Sequence, residues 1–149
     1  MDPFDLERFI EAQAGSHGRA LEELRAGRKR SHWMWYVFPQ FDGLGMSSTS
    51  RRYAIRSLAE AREYLRHPVL GPRLVECTKA VNALAGRTVH EIFGSPDDMK
   101  FRSSMTLFEL ASGPGSEFAA ALERYFSGER DARTLELVRS APNGAHPAL

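Results

Sequence analysis

The residue types that could do chemistry are concentrated in two segments of the chain. The first runs from Arg28 to Phe41 and contains a basic run, a histidine, both tryptophans and a glutamine. The second runs from Pro96 to about Ala111, where Lys100, Ser103 and Ser104 fall among the apolar positions of a helical wheel. A lysine or serine in a mostly buried helix needs a polar partner or a cavity. The second segment therefore predicts a polar pocket.

An anion such as phosphate is the ligand that this pocket suits. Lys100 and Arg102 carry the charge to neutralise it, and Ser103 and Ser104 can donate hydrogen bonds. The helix start at Pro96 is expected to add free backbone N–H groups. The alternative is structural: both serines bond back to carbonyl groups of their own helix while the Lys100 ammonium reaches solvent.

The aromatic part of the first segment can form the wall of a binding site. Trp33 and Trp35 suit stacking on a nucleobase or another flat ligand, and Gln40 offers a polar contact. His32 is the best general acid or base by residue type, and Arg30 is a further candidate for phosphate contact. Against this, aromatic clusters are more often core, and a basic run is more often a solvated surface.

Composition limits the classes of protein to consider. The 149 residues carry a formal net charge of +1, which disfavours a nucleic-acid binder held mainly by charge. Cys77 is the single cysteine and the histidines are scattered, so we predict neither a disulfide within the chain nor a metal site. The start of the chain lacks signal-peptide features and no apolar run is long enough for a bilayer. We expect a cytoplasmic protein without membrane contact.

The elements that position these residues are predicted to be helices. Capping boxes are predicted at Ser57 with Glu60 and at Thr88 with Glu91. An apolar stripe with spacings of three and four predicts a core helix through Leu70, Leu74, Cys77, Val81 and Leu84. Together with similar signals elsewhere, these predict a compact all-α bundle of about seven short helices. Asp5 is expected to cap the first helix, and Glu23 to lie on the outward face of the second. Residues 33–38 are read as a short helical turn or extended segment that ends at Pro39. We expect one domain over residues 1–140 and a flexible tail over 141–149.

Both segments also carry a family resemblance. The chain resembles a bacterial family of uncharacterised proteins, domain of unknown function 1810, nearly throughout and up to about Val138. The segments that carry the likeness are Asp5–Phe9, Arg28–Trp35, Phe38–Gln40, Ile92–Asp98 and Lys100–Phe108. The resemblance implies a mainly α-helical cytoplasmic domain and no established activity. Some members are labelled calpastatin, but nothing in this chain resembles the disordered repeats of that inhibitor.

A more distant similarity, in size, helical class and arrangement of polar and aromatic motifs, is to the NADAR superfamily. Its members are associated with cleaving N-glycosidic bonds in nucleotide derivatives, although no catalytic residue can be carried over. The leading hypothesis is thus a pocket for a nucleotide or ADP-ribose-like small molecule, without a cofactor. In a catalytic version, His32 or Asp98 activates water or stabilises an oxocarbenium-like transition state.

Two other hypotheses are kept open. The stretch 32–41 could instead serve as a docking patch of a non-catalytic interaction domain, which requires its aromatic side chains on an open surface. A pocket instead requires Lys100, Ser103 and the tryptophans to converge on one cavity. Nucleic-acid binding through Arg28–Arg30 is the least favoured hypothesis. Ligand identity, catalysis, oligomeric state and pathway are not determined by these patterns.

Overall fold

The fold, taken from a computed structural model that describes residues 2–141, consists of helices packed around one apolar core. Ten helices occupy the described residues, and seven of them have at least seven residues. In chain order they are α1 Glu7–Gln13, α2 His17–Arg25, α3 Met34–Val37, α4 Ser48–Arg52, α5 Leu58–Arg66, α6 Leu70–Asn82, α7 Val89–Phe93, α8 Asp97–Ser112, α9 Glu117–Phe126 and α10 Ala132–Ser140. The predicted all-α class is confirmed. Residues 142–149, which make up nearly all of the predicted tail, lie outside the described part.

Helix α8 is the central element. It packs against α5, α7, α9 and α10, whereas α6 packs against α2, α5 and α9. Phe101, Met105 and Phe108 of α8 are fully buried, as are Leu74 and Val81 of the predicted apolar stripe on α6. These buried rows leave the start of α8 at the edge of the bundle, where its first turn can contribute to a surface site.

The helix starts agree only in part with the capping predictions. Thr88 and Glu91 form the predicted capping box of α7. Asp5 does not cap α1, because it has a φ of 54° and the Asp2 carboxylate accepts from the backbone N–H groups of Leu6 and Glu7 instead. These backbone hydrogen bonds hold the pKa of Asp2 below its ordinary value.

A polar cluster lies between α1 and α5. The Arg8 guanidinium donates to the Glu60 carboxylate at 2.8 Å and to backbone carbonyls that include that of Ala54. Both side chains are about 95% buried, with exposures of 5% and 4%. Ser57 Oγ caps α5 as predicted, but Glu60 is directed to Arg8 and to the Arg56 N–H rather than completing a capping box.

The aromatic segment contains one turn of helix, α3, and then runs extended past Pro39. The Phe38 side chain is fully buried against the rings of Phe93 and Phe101. After Pro39, an isolated parallel bridge joins Phe41 to Ile55. This bridge closes the intervening residues into a loop that stands beside α8.

Candidate functional site

A cleft of about 460 Å³ lies between the aromatic segment, the loop after it and the start of α8. Four of the residues predicted for a ligand site line it: Trp35, Gln40, Lys100 and Ser103. We refer to it as the Trp35–Lys100 cleft. Its other lining residues are Leu44, Gly45, Met46, Ser47, Ser50, Pro96 and Met99. Residues about sixty positions apart in the chain therefore form one concave surface. The pocket hypothesis required both tryptophans to line it, and only Trp35 does.

Local structure explains why these side chains meet. Proline at position 39 and the backbone bonds from Ile55 N to Gln40 O and from Asp42 N to Ile55 O end α3 and fix the return of the chain. The loop then turns tightly at Gly45, where a Cβ atom would lie 2.5 Å from Ser50 Cβ. Only glycine fits that approach, so the wall of the cleft depends on it.

Lys100 provides the positive charge of the cleft. Its Nζ lies 3.2 Å from Asp97 Oδ1 and 5.1 Å from the centre of the Trp35 ring, and its side chain is 25% exposed. Lys29 Nζ pairs with the other oxygen of the same carboxylate, Asp97 Oδ2, at 2.8 Å. Two ammonium groups thus share one carboxylate. The three side chains together carry a formal net charge of +1, and Lys100 is the more exposed of the two lysines.

The two predicted serines are both buried in α8 but differ in their bonding. Ser103 Oγ donates to Met99 O at 3.1 Å, as the structural alternative predicted, and the residue still lines the cleft. The hydroxyl oxygen keeps its capacity to accept a hydrogen bond. Ser104 is fully buried, does not line the cleft, and its Oγ has no partner among the described residues.

The start of α8 offers less to an anion than the sequence led us to expect. The backbone N–H groups of Asp98, Met99 and Lys100 are already bonded to Gly94 O or Pro96 O. Two carboxylates, those of Asp97 and Asp98, also lie in the first turn. The prediction that this turn supplies free N–H groups is therefore wrong for these three, and anion binding falls to the Lys100 side chain.

Trp33 has a different role from Trp35. It is fully buried, and its indole N–H donates to Glu23 Oε1 at 2.9 Å. The same carboxylate accepts from the backbone N–H groups of Arg30 and Ser31 and from Ser31 Oγ. Burial raises the pKa of Glu23, but the hydrogen bonds from Ser31, Arg30 and Trp33 outweigh it and lower the pKa from 4.5 to about 2.

Glu23 is the positioning residue that the sequence analysis missed. We predicted that its side chain would face outward, whereas it is 9% exposed and anchors the segment that leads into the cleft. One signal was available: on a helical wheel Glu23 lies about 60° from the buried Ala20, at the edge of the apolar face. A carboxylate at that edge followed by a turn is able to cap the backbone of the next segment.

The remaining predicted residues do not line the cleft. Arg102 extends to the opposite side of α8, where it donates to the carbonyl groups of Glu129 and Arg130. Asp98 accepts from its neighbour Met99 N and contacts His90 Nδ1 at 3.3 Å. The side chains of Arg30 and His32 lie on the exposed surface outside the cleft.

The loop of residues 43–50, which forms one wall of the cleft, was not among the residues predicted for the site. A glycine- and serine-rich stretch such as 43–50 is typical of a surface loop, and closure on a ligand is the alternative. The loop lines one side of the cleft through residues that include Leu44 and Met46. The glycines and serines of the loop do not indicate which part of the fold it packs against, because the Phe41–Ile55 bridge between distant residues brings it to α8.

Four further observations concern features outside the Trp35–Lys100 cleft. A larger groove, about 790 Å³, lies over α6 beside Pro72 and Val75, but it contains none of the predicted residues.

Within residues 2–141, no three His, Cys, Asp or Glu side chains come together as metal ligands. In the same part of the chain, no helix combines the length and apolar character that crossing a membrane requires. Burial raises the pKa of Cys77 to about 12.

Comparisons with known proteins agree with the all-helical fold. Residues 3–138 match the family described as "Protein of unknown function (DUF1810)". A solved structure, that of the conserved hypothetical protein Rv1873 from Mycobacterium tuberculosis, is similar with a TM-score of 0.91 and 56% sequence identity. The match covers 93% of this chain and 99% of that one. No curated protein matches. The distant similarity to the NADAR superfamily stays a prediction.

Proposed function

The chain belongs to the DUF1810 family of proteins of unknown function, and we propose that the Trp35–Lys100 cleft binds a small anionic ligand with a flat ring. A nucleotide or an ADP-ribose-like molecule has this chemistry. One observation carries the proposal: an indole ring, an ammonium group that shares its carboxylate partner with a second lysine, and two polar side chains from distant segments line one cleft. Its volume, about 460 Å³, falls within the usual range of small-molecule sites.

Each group has a defined task in this proposal. The Trp35 ring provides the apolar face on which a planar ligand packs. Lys100 attracts the anionic group, because the single Asp97 carboxylate is shared with Lys29 and does not balance both ammonium charges. Ser103 Oγ accepts a hydrogen bond from a ligand hydroxyl while it donates to Met99 O. Trp33, by contrast, supports the segment from within the core.

Hydrolysis of a glycosidic bond is not part of the proposal. The residues that line the cleft include no carboxylate and no imidazole, and neither His32 nor Asp98 is among them. The catalytic role predicted for these two residues stays a prediction. It is checked by following product formation when any binding compound is incubated with the protein.

The test is a thermal-shift and calorimetric screen with ADP-ribose, NAD, nucleoside mono- and diphosphates, sugar phosphates and nucleobases. A ligand at a hundred times its Kd stabilises the fold by about 2.7 kcal/mol. For a chain of this size that corresponds to a Tm increase of roughly 5–10 °C. Lys100→Met should lower the affinity for phosphate-bearing ligands by about tenfold or more, because a charged hydrogen bond is lost.

Lys79→Met is the matched control, since Lys79 is an exposed lysine of α6 that lines the other groove. It removes the same charge and should leave the affinity unchanged. Equal affinity in folded Lys100→Met protein and in wild type refutes the role of Lys100. Failure of every compound to bind refutes the proposed function.

A second candidate function has its own observation. Met46 and Met99 are the large apolar side chains that are most exposed among the described residues, at 77% and 46%, and both line the cleft. Exposed methionines beside an aromatic ring suit a protein segment as the ligand. In that case Met46→Ser should lower the affinity for the protein partner and leave the affinity for nucleotides unchanged. The other aromatics of stretch 32–41 favour this less, because Trp33, Phe38 and Phe41 are buried.

A further inference from the structure

The chain has two tryptophans and two glutamines, and in each pair one side chain is buried in the core while the other lines the cleft. Gln13 is 2% exposed and its amide is fully used: Nε2 donates to Tyr36 O and Tyr64 Oη, and Oε1 accepts from Arg73. Trp33 is fully buried and bonds to Glu23. These two side chains hold the fold together.

Gln40 and Trp35 contrast with them. The backbone oxygen of Gln40 accepts from Ile55 N, but its carboxamide makes no hydrogen bond with residues 2–141. The indole N–H of Trp35 likewise has no acceptor among those residues, and its ring contacts only the Lys100 ammonium among the cations. Both residues line the cleft. An amide with a donor and an acceptor both available, next to an aromatic ring, is suited to read the edge of a planar ligand.

A second observation locates where that edge would lie. A small recess of about 10 Å³ shares Trp35, Gln40, Gly45 and Ser50 with the cleft and therefore adjoins it. That volume corresponds to roughly one water molecule. It accommodates a single heavy atom outside a ring, such as a carbonyl oxygen or an amino nitrogen, and is too small for a further ring.

We infer that the cleft selects planar rings with a hydrogen-bond donor next to an acceptor, one of which is an exocyclic atom that enters the recess. This inference rests on the proposed function and specifies its ligand class: lactam or amino-substituted heterocycles, such as hypoxanthine and adenine, on a phosphate-bearing sugar. The Gln40 carboxamide pairs with both groups of the edge. A bound ring without that edge covers the partly exposed Gln40 amide without pairing it, so the amide loses its contact with water and gains no hydrogen bond in return.

The experiment measures the affinities of the full chain for three compounds by titration calorimetry. Inosine 5′-monophosphate carries the edge, purine riboside 5′-monophosphate has the same ring system without it, and ribose 5-phosphate has no nucleobase. We expect inosine monophosphate to bind about tenfold or more tightly than the purine riboside compound. Gln40→Leu should abolish this ratio by weakening only inosine monophosphate, so the purine riboside compound serves as the internal control.

Gln40→Met is the second variant if Gln40→Leu does not fold, because it keeps the length of the side chain and removes the amide. Equal binding of the two purine compounds by wild type overturns this inference but leaves the proposed function standing. An equal loss for both compounds in Gln40→Leu does the same. If none of the three compounds binds while another compound of the thermal-shift panel does, this inference fails and the proposed function stands. If no compound of either set binds, both fail.

Discussion

Removing the charge of Glu23 is the sharpest test of how the cleft is held in place. The carboxylate accepts four hydrogen bonds, from Arg30 N at 2.8 Å, Ser31 N at 3.0 Å, Ser31 Oγ at 2.6 Å and Trp33 Nε1 at 2.9 Å. Three of them end on Oε1, which Glu23→Gln can keep, and the new amide can still donate to Ser31 Oγ. This variant therefore removes mainly the charge assistance of the hydrogen bonds.

The lowered pKa of Glu23 sets the size of the stability loss expected for Glu23→Gln. A reduction from 4.5 to about 2 corresponds to at most about 3 kcal/mol of stability, and solvent screening at this site reduces it to about 2 kcal/mol. Because the folded-state pKa is the lower one, this stability is fully present above pH 4.5 and is lost as the pH falls toward 2. About half of it should be gone at pH 3.

Urea unfolding of wild type and Glu23→Gln at pH 7 and pH 3 measures this. We expect the variant to be less stable by about 2 kcal/mol at pH 7 and by about half as much at pH 3. Only the difference between the two proteins is interpreted, since other carboxyl groups titrate in both. The exposed neighbour variant Glu22→Gln should match wild type. A difference at pH 7 that is absent, or that grows at pH 3, would refute the assigned role of Glu23.

Two further predictions concern the packing beneath the site. Glu60→Gln leaves the Arg8 guanidinium buried without its counter-charge and should lower the free energy of unfolding in urea by about 3 kcal/mol. Glu63→Gln, at the exposed pair with Arg66, should lower it by less than about 1 kcal/mol. Equal losses for the two variants would contradict the burial argument. Gly71→Ala places Cβ 2.1 Å from the backbone oxygen of Leu65 and should cost about 2 kcal/mol or more. Gly18→Ala, in the first turn of α2, brings its Cβ within 4 Å of no neighbouring side chain or distant backbone atom and should stabilise the fold by about 0.5–1 kcal/mol. Thermal melts of both glycine variants check the opposite signs.

Much of the fold was predictable because the helices are specified locally. The spacing of Leu70, Leu74, Cys77 and Val81 placed α6, and all four residues are buried. The same local reasoning identified Lys100 and Ser103 as polar residues in an apolar setting, and both line the cleft. A polar side chain among buried neighbours is a signal that one helix carries by itself.

The rest depended on contacts between distant segments. Trp33 and Trp35 are equivalent by residue type, but Trp33 is buried and bonded to the Glu23 carboxylate, ten positions earlier in the chain. Arg102 is two residues from Lys100, which places it about 200° around the helix and directs it to the chain segment after α9. The sequence does not state which face of α8 meets which neighbour, so charge alone could not separate the two residues.

The Lys29–Asp97–Lys100 cluster shows why the basic run and the α8 motif belong together. Lys29 is 8% exposed, its Nζ donates to Ser31 O, and it bonds the carboxylate that Lys100 also contacts. The lysine of the basic run is therefore no solvated surface group, because it fixes the start of α8 against the segment that carries Trp35. It also occupies one oxygen of Asp97, which would otherwise be more available to neutralise Lys100. The same ion pair thus positions the two walls of the cleft and leaves positive charge between them, which connects the packing of this fold to the anionic ligand proposed for it.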